Sequence, residues 1–241
     1  MTRGTLAAPT SFVRNVGAHR WRRGERPDTS KPPDRFVSFP GHNNWRGGAL
    51  FSFQQMKQLR DEYGIRTIVN LAADANDHVY DPERDCGGRR NQCEPLWAAE
   101  LGIRYIYAPM GGSWRMSAEQ WRTIQDALTQ GSVFVHCSHG VDRTGAVVAR
   151  WRREIDPALS HEEVMRYTRS LGGAWRLEGD PNSKLREWIA RAQYDPELAA
   201  RALAPRSSGL SIIPAQIPIQ GWAMVSLGVF GLALSLRTRR T

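Results

Sequence analysis

The chain has 241 residues, of which 41% are hydrophobic and 24% charged, which is enough apolar material for one sizeable core with tails. Its formal net charge of +9 favours anionic partners such as phosphoesters, nucleic acid or an acidic membrane surface, although a solvated, arginine-rich surface explains the charge equally well. Three cysteines argue against a disulfide framework and favour a reducing compartment.

The first 35 residues are rich in arginine, proline, glycine and threonine and include the basic run His19–Arg23. No apolar stretch follows the basic residues, so this segment is not a recognisable secretory signal. We expect residues 1–35 to form a disordered basic arm. A contact with nucleic acid or anionic lipid is the minor alternative.

A folded domain is expected over residues 36–203, beginning with a helix and a strand. Apolar residues recur at helical spacing over 51–63, and Gly64 is expected to end that helix. Residues 65–71 contain several β-branched side chains, which predicts a strand. The polar, glycine-rich segment 74–93 then predicts a long loop.

The loop 74–93 contains Cys86 and Cys93. They are interpreted as unremarkable loop cysteines, with a redox pair or a metal site as alternatives; no second Cys/His pair has zinc spacing. A short helix is predicted from Pro95 to Leu101, followed by a strand over 103–107.

The second half of the domain continues the alternation of helices and strands. Ser117 and Gln120 have the spacing of a capping box, which predicts a helix from this point to Gln130. The apolar run 132–135 predicts a strand in the middle of a sheet. Further helices are predicted at 145–153, 160–170 and 184–203. This order predicts an α/β fold with a central, mostly parallel sheet flanked by helices.

Residues 204–241 are predicted to be a linker followed by a C-terminal apolar helix. No charged residue occurs between Ile217 and Leu236, and a run of about twenty apolar residues is long enough to span a bilayer. Pro218 and Gln220 weaken the beginning of this run, and a packed apolar tail is the alternative. The sequence therefore favours a cytoplasmic domain that a single-pass C-terminal segment holds at the membrane.

The segment His136–Gly145 combines features that phosphate chemistry requires. It follows a predicted buried strand and leads into a helix, where backbone N–H groups form a ready site for an anion. His136 is interpreted as orienting the segment through backbone contacts. The residues expected to surround one phosphate and bind the substrate are Ser138, His139, Gly140, Val141, Asp142 and Arg143.

Three side chains of this segment have candidate catalytic roles. The planar guanidinium of Arg143 matches two phosphate oxygens. Cys137 lies at the base of the loop, where the helix N-terminus and the nearby cation favour the thiolate, so it is the candidate nucleophile for a covalent phosphocysteine. Thr144 is placed to donate a hydrogen bond to the departing thiolate.

The pattern His-Cys-x-x-Gly-x-x-Arg-Thr-Gly resembles the signature of the protein tyrosine and dual-specificity phosphatases, in particular the small dual-specificity branch. Trp45–Gly48 and Gly64–Leu71 are also similar to family segments, and the resemblance covers roughly residues 36–192. It implies a dual-specificity phosphatase-like catalytic domain with the loop at the carboxyl end of a strand. It implies neither a metal nor an organic cofactor.

The sequence departs from this family at the general acid. The family places an aspartate before the cysteine, whereas Pro109–Met116 contains no carboxylate. Asp142 is the best substitute, as in the myotubularin-like lipid phosphatases, which also have an aspartate before the arginine. A purely bracing role for Asp142 is equally compatible, and Asp74 and Asp77 are the next candidates.

Three functions are compatible with these residues. The first is hydrolysis of phosphotyrosine or phosphoserine/threonine in proteins. The second is hydrolysis of phosphoinositides, which the basic composition, the apolar tail and Asp142 favour, or of RNA 5′-phosphates, since the pair His139-Gly140 resembles that of RNA 5′-phosphatases of this superfamily. The third is a non-catalytic phosphate-binding module, suggested by the missing acid but opposed by the intact Cys137, Arg143 and Thr144. Nucleic acid is otherwise an improbable partner.

Overall fold

The computed structural model describes residues 28–72, 90–110, 116–170 and 184–205. Within them, a five-stranded mixed sheet has the order β1-β2-β5-β3-β4. The first strand is antiparallel to the second, and the other neighbouring pairs are parallel. The strands are β1 Val37–Phe39, β2 Asn44–Gly47, β3 Thr67–Asn70, β4 Arg104–Tyr107 and β5 Val133–His136.

Helices flank both faces of this sheet. They are α1 Phe53–Tyr63, α2 Arg90–Leu101, α3 Ala118–Gln130, α4 Asp142–Ile155, α5 His161–Ser170, α6 Lys184–Ala190 and α7 Pro196–Leu203. In one apolar cluster, α1 and α2 pack against Ile68 and Phe134 of the sheet. In the second, the five helices from α3 through α7 pack against Val69 and Val135. Because successive strand residues point to opposite faces, these neighbouring pairs supply both cores. The predicted α/β class is confirmed.

Strand β5 lies in the middle of the sheet, as its apolar run predicts. All four of its residues are buried, which is typical of a parallel strand covered on both faces. Its last residue, His136, pairs with Gly47 of β2 and with Asn70 of β3. The carboxyl ends of three parallel strands therefore meet at one edge of the sheet.

The chemistry of the helix ends is as predicted for α1 and α3. Gly64 ends α1 in the left-handed conformation at φ +66°. In α3, the Ser117 hydroxyl accepts from Gln120 N, and the Gln120 side chain bonds back to the backbone of Ser117, which confirms the capping box.

Other helix boundaries were predicted wrongly. Helix α2 begins at Arg90 and not at Pro95, so the proline lies inside the helix. Its missing N–H removes one hydrogen bond of the helix. Burial of Cys93 and Trp97, each 1% exposed, stabilises this turn. The predicted single helix over 184–203 is two helices. Asp195 caps α7 and Pro196 occupies its first turn, because a proline starts a new helix more readily than it continues one.

The hairpin of β1 and β2 was not predicted. Asn44 and Arg46 of β2 are fully buried polar residues, which a strand pattern does not signal. Aromatic stacking stabilises the hairpin, because the ring of Phe36 lies parallel to that of Trp45 at 4.6 Å and meets Tyr63 edge-on.

The residues before β1 contact the domain. The carbonyl of Lys31 accepts a hydrogen bond from the Gln55 side chain, and that of Asp34 accepts one from Gly48 N. Residues 31–35, which the sequence assigns to the arm, therefore contact the folded domain. Residues 1–27 of that arm lie outside the described residues.

The interpretation of Cys93 as an unremarkable loop cysteine is wrong. Cys93 lies in α2 and is disulfide-bonded, and a count of cysteines does not reveal such pairing. Cys86 lies outside the described residues. In the part of the chain that the structure describes, no group of three or more His, Cys, Asp or Glu side chains is arranged to hold a metal ion.

The chain divides into two units, residues 1–204 and 205–241. Across the described ranges, none of the helices combines the length and the apolar character needed to cross a membrane. The predicted C-terminal helix at 217–236 lies outside those ranges.

Candidate functional site

The candidate site is the loop that connects β5 to α4 at the carboxyl edge of the sheet. Strand β5 ends at His136 and α4 begins at Asp142, so only five residues, 137–141, form the connection. The prediction that α4 begins at Gly145 is wrong. Asp142, Arg143 and Thr144 form the first helical turn, and the N-terminus of a helix is a favourable site for an anion.

Cys137 is the first residue after β5. Its side chain is 3% exposed, and among the described residues it is the free cysteine. The thiol therefore lies at the base of the loop, next to the start of α4.

The loop carbonyls are held by groups outside the loop. The three bonds are Ser138 O from Ala49 N (3.4 Å), His139 O from Arg35 Nη1 (2.8 Å) and Gly140 O from Arg46 Nη2. In a trans peptide the C=O and the following N–H point in opposite directions. These bonds therefore turn the amides of residues 139–141 away from the outer partners, which is the orientation that an anion-binding loop needs.

Gly140 lies against the end of β2. Its φ is +65°, and a Cβ at this position would lie 2.5 Å from both Gly47 C and Gly47 O. No side chain fits at that distance from backbone. The segment Trp45–Gly48, noted in the sequence for its family resemblance, thus packs directly on the loop.

Arg143 extends from α4 between the end of β3 and the loop. Its Nη1 donates to Leu71 O at 3.4 Å and its Nη2 donates to Ser138 Oγ at 3.1 Å. The side chain is 8% exposed. These bonds hold the guanidinium against the loop that contains Cys137.

The remaining predicted site residues lie in the loop or in the first turn of α4. Thr144 is fully buried, and its Oγ1 has no hydrogen-bond partner among the described residues. Asp142 and Val141 are each 9% exposed, and His139 is exposed at the rim. The alternative acids Asp74 and Asp77 lie outside the described residues, as do residues 111–115 of the segment that lacks a carboxylate.

A buried polar network beneath the loop was not predicted. Glu94 Oε2 accepts hydrogen bonds from Asn70 Nδ2 (2.7 Å) and Tyr105 Oη (3.0 Å), and it lies 3.3 Å from His136 Nε2. Burial raises the pKa of Tyr105 far above its usual range, and the negative charge of Glu94 raises it further. The hydroxyl of Tyr105 therefore keeps its proton and remains a donor. The sequence offers little indication that Glu94 is buried, because it directly follows the predicted loop 74–93.

Arg46 is a second group that sequence reasoning missed. It lies on β2 with its side chain fully buried, and burial lowers the pKa of its guanidinium to about 10, while the charge of Cys137 opposes this shift. In the sequence it stood out only as part of the Trp45–Gly48 segment.

The sheet order and the cysteine–arginine loop at a strand's carboxyl end define a cysteine-dependent phosphatase of the tyrosine and dual-specificity class. Residues 40–174 match the family described as "DSP-PTPase phosphatase fused to NAD+ Kinase". Because the match covers more than half of the 241 residues, the chain belongs to this family. The resemblance noted from the loop is confirmed.

The solved structures that resemble this chain are distant from it in sequence. The catalytic core of the PP-IP phosphatase SIW14 from S. cerevisiae is 16% identical, with a TM-score of 0.49 and coverage of 70% of this chain and 90% of that one. PTPMT1 is 15% identical, with a TM-score of 0.45 and coverage of 68% and 98%. Tk-PTP is 18% identical, with a TM-score of 0.45 and coverage of 70% and 98%. No curated protein matches the chain.

Two glycines with the same backbone conformation separate the effect of φ from that of packing. Gly102 also has φ +65°, but a Cβ there would meet nothing within 4 Å. We expect Gly102→Ala to lower the free energy of unfolding by about 1 kcal/mol, the cost of a left-handed alanine. Gly140→Ala should lower it by at least about 1 kcal/mol more, because Gly47 must move.

Urea denaturation of the two variants measures this difference. Equal losses of stability at the two positions would contradict the close packing of Gly140 on Gly47.

Proposed function

We propose that the protein hydrolyses phosphomonoesters in phosphorylated proteins, with Cys137 as the nucleophile. The observation that carries this proposal is the position of a free, buried thiol at the base of a loop whose carbonyls are held outward. Arg143, held against that loop, supplies a bidentate donor for two non-bridging phosphate oxygens. The amides of the loop and of the first turn of α4 supply the remaining donors.

The chemistry proceeds in two displacements. The Cys137 thiolate attacks phosphorus, an S–P bond forms, and the bond to the leaving oxygen breaks while that oxygen takes up a proton. Water then attacks phosphorus, inorganic phosphate is released and the thiolate is restored. Thr144 supports the second step, because its buried hydroxyl has no partner in the described ranges and would donate to the departing sulfur.

Asp142 is our candidate for the group that protonates the leaving oxygen. Its location next to Arg143 and its remaining exposure of 9% support this role. The first turn of a helix also stabilises a carboxylate, and this supports the alternative that Asp142 braces the loop in its ionised form. The two roles predict different dependences on the leaving group.

Phosphoinositides are the alternative substrate class. The rim of the loop carries the exposed His139 and the guanidinium of Arg35, and the chain has a net charge of +9. Positive groups around the loop favour substrates with several phosphates as well as phosphopeptides.

Substitution of the nucleophile and of the clamp tests the proposed roles. Cys137→Ser should abolish hydrolysis of an aryl phosphate, because a serine hydroxyl is not ionised at neutral pH. Arg143→Lys should lower kcat/KM about 100-fold or more, because an ammonium does not form the two parallel bonds of a guanidinium. Steady-state kinetics with p-nitrophenyl phosphate measures both effects.

Absence of turnover by the wild-type protein would favour the phosphate-binding module instead. Rapid quenching of a radiolabelled substrate should trap a phosphoenzyme in the wild type and none in Cys137→Ser.

The role of Asp142 is tested with two leaving groups. If Asp142 is the acid, Asp142→Asn should slow hydrolysis of an alkyl phosphate by about 100-fold and that of p-nitrophenyl phosphate much less, since nitrophenolate leaves without protonation. Equal losses with both substrates would assign Asp142 to bracing of the loop.

A substrate panel tests the protein-phosphate proposal and the proposed membrane attachment together. Full-length protein is assayed with phosphotyrosine and phosphoserine peptides, a 5′-phosphorylated RNA, and a phosphoinositide in vesicles. We expect the highest kcat/KM with phosphopeptides, and co-sedimentation with the vesicles through the charge-free segment 217–236. Faster hydrolysis of the phosphoinositide would contradict the protein substrate, and protein left in the supernatant would contradict attachment.

A further inference from the structure

The loop has a second arginine on its outer side. Arg46 lies on β2 and is in register with Val135 on the adjacent strand β5, which leads into the loop. Its side chain is fully buried, and its Nη2 donates to Gly140 O. Within the described part of the chain, its Nε and Nη1 have no hydrogen-bond partner.

A buried guanidinium with two unsatisfied nitrogens is costly unless an anion compensates its charge. Bracing a carbonyl does not require this cost, because Arg35 braces the adjacent His139 O from a half-buried position. A negative charge on the Cys137 sulfur or on the Tyr167 phenol would stabilise the Arg46 guanidinium. Burial raises the pKa of Tyr167, so its phenol is neutral near pH 7 and does not compensate the charge of Arg46.

We propose that Arg46 is a positioning residue that acts as a buried counter-ion for the Cys137 thiolate. Arg143 is then assigned to the substrate phosphate, while Arg46 stabilises the sulfur anion before any substrate binds. This inference rests on the proposed role of Cys137 as nucleophile. It explains why a full positive charge is retained in the interior behind a loop that a neutral donor would brace equally well.

Other charged or titratable groups lie near the loop or on the elements around it. Arg35 precedes β1, Asp142 and Arg143 lie on α4, Tyr167 lies on α5, and His136 on β5 pairs with Glu94 on α2. Arg46 differs from the arginines at 35 and 143 in being fully buried, so water screens its charge least.

The rate of alkylation of Cys137 by iodoacetamide, followed by mass spectrometry of the peptide that contains it, tests the proposal without any turnover. The alkylation rate is measured from about pH 4 to pH 9 because only the thiolate reacts. In Arg46→Met the pH of half-maximal rate should rise by about one, so that the rate at low pH falls about tenfold. Arg46→Lys, which keeps the charge, should remain within a few tenths of the wild type.

Two further variants serve as controls. Arg46→Gln keeps a donor for Gly140 O without the charge and should behave like Arg46→Met. Arg35→Met removes the half-buried arginine that bonds to His139 O and should shift the profile much less. Thermal unfolding of Arg46→Met should occur at the wild-type temperature or higher, because replacing a buried charge by an apolar side chain is often stabilising.

An unchanged profile in both Arg46→Met and Arg46→Gln would overturn the proposal. Equal shifts in Arg46→Lys and Arg46→Met would also overturn it, because geometry rather than charge would then set the reactivity. Failure of the proposed function is distinguishable, since it appears as absent wild-type turnover and not as a change in the alkylation profile.

Discussion

The parallel pairing of β5 between β2 and β3 is the constraint on which the site depends. It aligns His136 with Gly47 and Asn70, so that three strands end at one edge of the sheet. The loop that leaves β5 then lies against the end of β2, where Gly140 meets the backbone of Gly47. Without that register, neither the outward bonds of the loop carbonyls nor the bond from Arg143 to Leu71 O after β3 would form.

The same register places polar groups in the interior, where they need partners. Glu94 Oε2, Asn70 and Tyr105 bond to one another beneath His136, and these bonds connect α2, β3 and β4 below the end of β5. Other buried polar atoms at this edge have no hydrogen-bond partner within the described residues, namely Glu94 Oε1, both ring nitrogens of His136, and Nε and Nη1 of Arg46. Among them only Arg46 carries a fixed positive charge, and the proposed role as counter-ion of the Cys137 thiolate accounts for its retention in the interior.

Sequence reasoning succeeded where the signal was local. Gly64 as a helix end and Ser117 with Gln120 as a capping box follow from the conformations and hydrogen bonds of a few neighbouring residues. It failed where distant packing decided the outcome. The strand at Asn44–Gly47 and the start of α2 at Arg90 depend on packing against residues remote in the chain.

The sequence by itself determined the loop, because nucleophile, glycine, arginine and threonine occupy ten consecutive residues and their chemistry depends on short-range geometry. It also determined the α/β alternation, through the periods of its apolar residues. Only the tertiary structure decided what surrounds the loop. The positions of Arg46, Arg35 and Glu94 relative to Cys137 follow from the order of strands in the sheet, and no local pattern encodes contacts between residues so far apart in the chain.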